Sequence, residues 1–207
     1  MTEITESLVR FLAILNPFAL CLYLVGVMED LDRRDFMRVL GGACVTALAV
    51  FSVFALVGEY VLVRLLGVRV EALRIFGGII FFVVGYNYVT KGYKTAVVLR
   101  GSLEELPAAI ALPFMIGAGT ITESILLGKR HSIHTSFFVL LAGVAASFVA
   151  VSAFKIGRDR MKAGPEKLFD RYVNILARIN GLIIGAISTE MVVSGVRQAW
   201  ARLGTPA

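Results

Sequence analysis

Residues 109–128 read AIALPFMIGAGTITESILLG, a run apolar enough for a bilayer that nevertheless holds Pro113, three glycines, Thr120, Thr122 and Glu123. Glycine and proline are poor residues for a helix whose only task is anchoring, and a carboxylate is costly against lipid. A stretch of this kind belongs to a helix that is interrupted inside the membrane, where its freed backbone groups must be buried in protein or line a cavity.

The rest of the chain supplies the setting. Of 207 residues, 57% are hydrophobic and 17% charged, a balance far from that of a soluble domain. Apolar runs of spanning length predict helices near 6–28, 37–63, 68–90, 107–128, 134–155 and 172–196. They leave no connection long enough for a soluble domain, the longest being 156–171, so residues 1–207 form a single transmembrane domain and the function lies within the membrane. The first run carries Asn16 and Pro17 at its centre with no small-residue cleavage site, which reads as a retained helix.

The net charge of +6 comes from Lys and Arg placed largely between the spans, so it reports topology and not nucleic-acid binding. Arg33, Arg34, Arg38, Lys91, Lys94, Arg100 and the six basic residues from Lys155 to Arg171 put twelve on one side. Arg64, Arg69, Lys129, Arg130, Arg197 and Arg202 put six on the other. The bias predicts a multi-pass protein of the cell membrane with both termini outside. The 155–171 segment also has the composition of an anionic-lipid patch. Cys21 and Cys44 lack ligand-spaced companions and read as packing residues, so no metal and no cofactor is expected.

The two halves share words in the same order. LNPFAL (15–20) lies opposite ALPFMI (111–116), matching Pro17 and Phe18 to Pro113 and Phe114 at an offset of 96. LRIFGGII (73–80) lies opposite ARINGLII (177–184), matching Arg74 and Gly77 to Arg178 and Gly181 at an offset of 104. The difference between the offsets is assigned to the connection between the fifth and sixth spans. Three spans per unit is an odd number, so the units enter the membrane from opposite sides. The expected fold is all-α and integral to the membrane: six transmembrane helices in two inverted three-helix repeats, about 6–90 and 107–196.

Pro17 and Pro113 begin corresponding kinks in the first helix of each unit, since proline removes a donor and clashes with the preceding turn. After Pro113, the residues Gly117, Gly119, Thr120 and Thr122 are expected to unwind a turn near the midplane, and Asn16 offers an amide at the same depth in the first span. A broken helix shows an amide end to a carboxylate and a carbonyl end to an ammonium, so a small zwitterion suits such a site.

LNPFAL, LRIFGGIIFFVVG (73–85), ALPFMIGAGTIT (111–122) and RINGLIIGAISTEM (178–191) resemble the MarC family, also called the SnatA-type small neutral amino acid transporters, over nearly the whole chain. The family's alanine-glycine-proline-glycine core reads Gly117, Ala118, Gly119 here, without the second proline, and Glu190 stands where the family has glutamine. The resemblance implies transport of glycine, alanine and similar neutral amino acids, coupled to protons, with a site between helices 1 and 4. Nothing in the sequence argues for drug export.

Among ionisable residues in the spans, Glu123 is the leading coupling candidate, standing against an interfacial pairing with Lys129 or Arg130. Glu190 is a second candidate, standing against a pairing with Arg197. Arg74 and Arg178 either snorkel to opposite interfaces or tie to a carbonyl or carboxylate of the facing unit. Asn87, Asn174 and Asn180 read as packing residues, with Asn180 beside Gly181 the exception to watch. His131 and His134 read as solvated loop residues. No nucleophile triad, carboxylate pair or nucleotide loop is present, so no enzyme activity is expected. A channel on a similar scaffold and a membrane assembly protein are the alternatives to a transporter, and association of copies into a homo-oligomer is left open.

Overall fold

The computed structural model describes residues 2–92, 103–161 and 166–203, all in helices and short connections. Lys94 and Arg100 of the topology count therefore lie outside the described residues, as does part of the 156–171 connection. The elements are α1 Thr2–Leu15, α2 Pro17–Tyr23, α3 Val25–Asp30, α4 Arg33–Glu59 with a π-helical end Tyr60–Leu65, and α5 Val70–Lys91. They continue with α6 Leu106–Ile110, a π-helical turn Ala111–Met115, α7 Ala118–Arg130, α8 Ile133–Met161 and α9 Glu166–Leu203.

Among the described residues, five stretches are long and apolar enough to cross a membrane: Glu3–Tyr23, Arg33–Leu65, Val70–Lys91, Ile133–Arg160 and Arg171–Ala201. The expected span at 107–128 is divided among α6, the π-helical turn and α7, none of which has spanning length by itself. The connection expected at 156–171 is mostly helical, because α8 runs to Met161 and α9 starts at Glu166. Its basic residues are consequently not all loop residues.

The breaks have local causes. Asn16 precedes Pro17, whose ring bars the residue before it from the right-handed helical well. Asn16 adopts φ 48 and ψ 75, and its Oδ1 accepts from the Ala19 amide at 3.0 Å, capping α2. Leu112, before Pro113, is likewise non-helical at φ −112 and ψ 119. Asp32 caps α4 by accepting from the Asp35 amide at 2.8 Å. Gly92 ends α5 at φ 72, a conformation that favours glycine.

A core of Phe11, Leu15, Phe36, Leu40, Phe51, Ile110, Val139 and Val151 joins α1, α4, α6 and α8. The Phe11 and Phe51 rings meet edge to face at 5.4 Å. Beside it, α5 and α9 pack at backbone distance: a Cβ on Gly85 would lie 2.9 Å from the Gly181 carbonyl oxygen, and one on Gly181 would lie 3.0 Å from that of Gly85. Val45, Val53, Phe76, Ile79, Phe82, Phe138 and Leu182 are exposed, an apolar outer surface suited to lipid.

α8 also grips α3. Lys155, 2% exposed, donates to the carbonyls of Met28 at 2.7 Å and Leu31 at 3.1 Å and to Asp159 at 2.8 Å. Arg158 donates to the Val25 carbonyl at 2.9 Å and pairs with Glu29. Lys155 thus satisfies carbonyls at the end of a short helix and opposes its negative end, while Arg158 holds its first residue. These residues entered the sequence reading as loop charges; they are buried structural groups.

Candidate functional site

The broken segments of the first and fourth apolar runs meet on one cavity of about 410 Å³, lined from α1 and α2, from α5, from Ile116 to Ala118 and from α9. α5 holds the start of α7 in place by backbone contact, since a Cβ on Gly77 would lie 2.8 Å from the Gly119 amide nitrogen. That approach is open only to glycine.

Asn16 and Gly117 both line the cavity. The Asn16 Nδ2 donates to Asn180 Oδ1 at 3.2 Å, tying the break to α9. Asn180 is buried and its own Nδ2 has no partner among the described residues. Asn180, read from the sequence as the asparagine to watch, thus stands directly behind the cavity wall. Pro17 is the first residue of α2 and is half-buried.

In the fourth run the unwinding is narrower than expected. Besides Leu112, Ile116 (φ −92, ψ 94) and Gly117 (φ −124, ψ 169) are extended, whereas Gly119, Thr120 and Thr122 are helical within α7. Both threonine hydroxyls serve their own backbone. Thr120 Oγ1 accepts from the Gly117 amide and donates to the Met115 carbonyl, each at 2.9 Å, and Thr122 Oγ1 donates to the Ala118 carbonyl at 2.7 Å. They shape the break and leave the cavity to backbone groups. Gly119 lies in its wall: a Cβ there would be 3.1 Å from Ile14, 3.2 Å from Met191 and 3.4 Å from Phe81.

The two ends presented to the cavity have opposite polarity. Ala13, Ile14 and Leu15 are the last residues of α1, before Pro17 interrupts the helix, and α7 opens at Ala118 after Gly117, whose own amide is taken by the Thr120 hydroxyl. No charged side chain is among the lining residues. Tyr23, Phe81 and Ile14 are site residues that the sequence reading did not single out. Phe81 sits in the quoted 73–85 stretch, but its inward direction is a tertiary fact.

Glu123 is buried at 7% exposure, and Lys129 pairs instead with Glu59 at 2.5 Å, so the interfacial pairing with that lysine is not formed. Arg130, Arg74 and Arg10 act on Glu123 electrostatically without a direct ion pair. Glu190 is exposed and not buried inside its helix, because α9 turns that face away from the core; no ion pair joins it to Arg197 among the described residues. Arg178 donates to the Val89 carbonyl of α5 at 2.9 Å, the tie to the facing unit, and Arg74 reaches Ser194 at 3.5 Å. His131 Nε2 is 2.9 Å from Ser7 Oγ, a contact between α1 and the end of α7.

The model of MarC family integral membrane proteins matches residues 1–200. A UPF0056 membrane protein of Methanocaldococcus jannaschii is 27% identical over 201 residues, covering 90% of this chain and 92% of its own. One from Aquifex aeolicus is 25% identical over 203 residues, with 93% and 91% covered. The UPF0056 membrane protein YhcE of Escherichia coli is 25% identical over 201 residues, with 89% and 87% covered. No solved structure matches the chain.

Proposed function

The chain belongs to the MarC family of integral membrane proteins, and from that premise we propose that it is a secondary active transporter of small neutral amino acids such as glycine and alanine. Transport proceeds by alternating access in the cell membrane, with both termini outside and protons as the coupling ion. The observation that carries this reading is the cavity on which the carbonyl end of α1 and the amide end of α7 converge. A zwitterion satisfies both ends at once: its ammonium takes the α1 carbonyls and its carboxylate the first amides of α7. The apolar walls and the close side-chain contacts around Gly119 admit a short side chain and oppose a long one.

On this reading the molecule has six crossings in two inverted repeats, with α1 to α3 and α6 to α7 as the broken first helices. Burial supports it. Buried positions of α4 recur in α8 exactly one hundred residues on, in the pairs Phe36 and Ser136, Val39 and Val139, Leu40 and Leu140, Ala43 and Gly143, Ala47 and Ser147, and Phe51 and Val151. The cross-helix contacts follow the same relation. Lys155 meets the Met28 carbonyl where Ala55 meets Gly128, and Arg158 meets Val25 where Gly58 meets Ile125. The four residues by which this offset exceeds that of the proline words then fall in the unwound turn between Pro113 and Ala118, not in the connection after α8.

Glu123 is the group that takes up the coupling proton, being a buried carboxylate beside the cavity wall. Counterflow of labelled glycine or alanine in proteoliposomes, with and without a pH gradient, tests the proposal. Saturable exchange is expected; ion current without saturable exchange would replace the transporter by a channel, and neither signal across the neutral amino acids would favour an assembly protein.

A further inference from the structure

A second chamber, of about 590 Å³, adjoins the apolar cavity and differs from it in chemistry. It is lined by Arg10 of α1, Arg74 of α5, Glu123 and Arg130 of α7, and Glu190 and Gln198 of α9. Ala13, Ile14 and Ile187 line both spaces. The two are therefore separated by a thin wall. Gly119 belongs to that wall, since the atoms nearest a Cβ there would be Ile14 at 3.1 Å, Met191 at 3.2 Å and Phe81 at 3.4 Å.

Three guanidinium groups reach this chamber from three different helices, beside the carboxylates of Glu123 and Glu190, while Glu6 pairs with Arg10 and Glu71 acts electrostatically on Arg74. Their donors are largely uncommitted. Arg74 makes one long hydrogen bond, to Ser194 at 3.5 Å, and Arg130 makes no hydrogen bond or ion pair among the described residues. Among the described residues the ion pair that these groups form is Arg10 with Glu6 at 2.5 Å, which is exposed, while Glu123 and Glu71 act on Arg74 electrostatically. Guanidinium groups held near one another repel, and an anion seated among them relieves the repulsion while meeting their planar donors two at a time.

We propose that the chamber is an antechamber that recognises the carboxylate of an incoming amino acid through Arg74 and Arg130, before the substrate passes Gly119 into the apolar cavity. The inference rests on the transporter reading. It assigns to the chamber a recognition that the inner cavity has no charged side chain to make: the carboxylate of a zwitterion is drawn to Arg74 and Arg130, and a second, cationic side chain would face those same guanidinium groups. Glu190 gives the ammonium a counter-charge in the same space.

The test is glycine counterflow by the full chain in proteoliposomes, comparing wild type with Arg74→Gln, Arg130→Gln and the double variant, with lysine as competitor. The double variant is expected to raise the KM for glycine about tenfold, as for the loss of one charge-assisted hydrogen bond, with a smaller fall in maximal rate. Lysine is expected to inhibit the wild type poorly and the double variant better. Arg74→Lys, which keeps the charge, is expected to retain lysine exclusion, a result that a merely structural role for Arg74 would not give. As a readout apart from transport, glycine should still raise the melting temperature of Gly119→Leu, because the chamber lies outside the blocked wall, and should no longer do so once Arg74→Gln and Arg130→Gln are added. A double variant with wild-type KM and wild-type lysine exclusion overturns the antechamber. A wild type that exchanges no neutral amino acid overturns the transporter reading and this inference with it.

Discussion

Asn16 is the residue whose replacement separates the physical causes of the break in the first span. It occupies the left-handed region at φ 48, caps α2 through the Ala19 amide at 3.0 Å, and donates to Asn180 at 3.2 Å. In Asn16→Ala all three are lost. Holding alanine in the left-handed well costs about 1 to 2 kcal/mol. Losing the cap costs about 1 kcal/mol, and the interhelical hydrogen bond contributes about 0.6 kcal/mol in membrane proteins. The expected destabilisation is about 3 kcal/mol. Asn16→Gly removes the same side chain but adopts the left-handed conformation without strain, and glycine is itself a tolerable cap, so its expected cost is about 1 kcal/mol. Reversible unfolding of the purified protein in mixed micelles, followed by circular dichroism, measures the difference of about 2 kcal/mol between them. If the glycine variant proves as unstable as the alanine variant, the backbone conformation at Asn16 is not what the residue is selected to hold, and the explanation of the break fails.

Other outcomes follow from the same contacts. Gly119→Leu should abolish glycine exchange while leaving the melting temperature within a few degrees of wild type, since its Cβ meets the movable side chains of Ile14, Met191 and Phe81 and not backbone. Glu123→Gln should preserve glycine exchange but abolish its stimulation by a pH gradient; stimulation equal to wild type in that flux assay would move the proton site elsewhere. Lys155→Met should destabilise the protein by about 2 kcal/mol in the unfolding assay, below the range for a fully buried pair because Asp159 keeps Arg33 at 3.8 Å.

Legibility in the sequence followed the range of the forces involved. Five spanning stretches were readable because an apolar run of that length has few other uses, and the break at Asn16 was readable because Pro17 acts on its immediate neighbour. The fourth run was readable as broken, but not where: glycine and threonine composition suggested an unwound turn reaching Thr122, whereas the Thr120 hydroxyl closes the turn on Gly117 and restores the helix at once. Lys155 and Arg158 were read as topology signals because basic residues at the end of an apolar run are usually solvated. Their burial depends on α3 stopping short and presenting its carbonyls to α8, which no local pattern encodes. The direction in which Glu190 points was not legible either, since depth along a helix does not reveal which way the helix faces.

The central claim is that the facing ends of α1 and α7 bind and carry a small zwitterion. Counterflow of labelled glycine into proteoliposomes preloaded with unlabelled glycine tests it most directly. The structure-based account predicts transient, saturable accumulation of label that is competed by alanine. Accumulation no greater than in protein-free liposomes, across glycine, alanine and the other neutral amino acids, would contradict it.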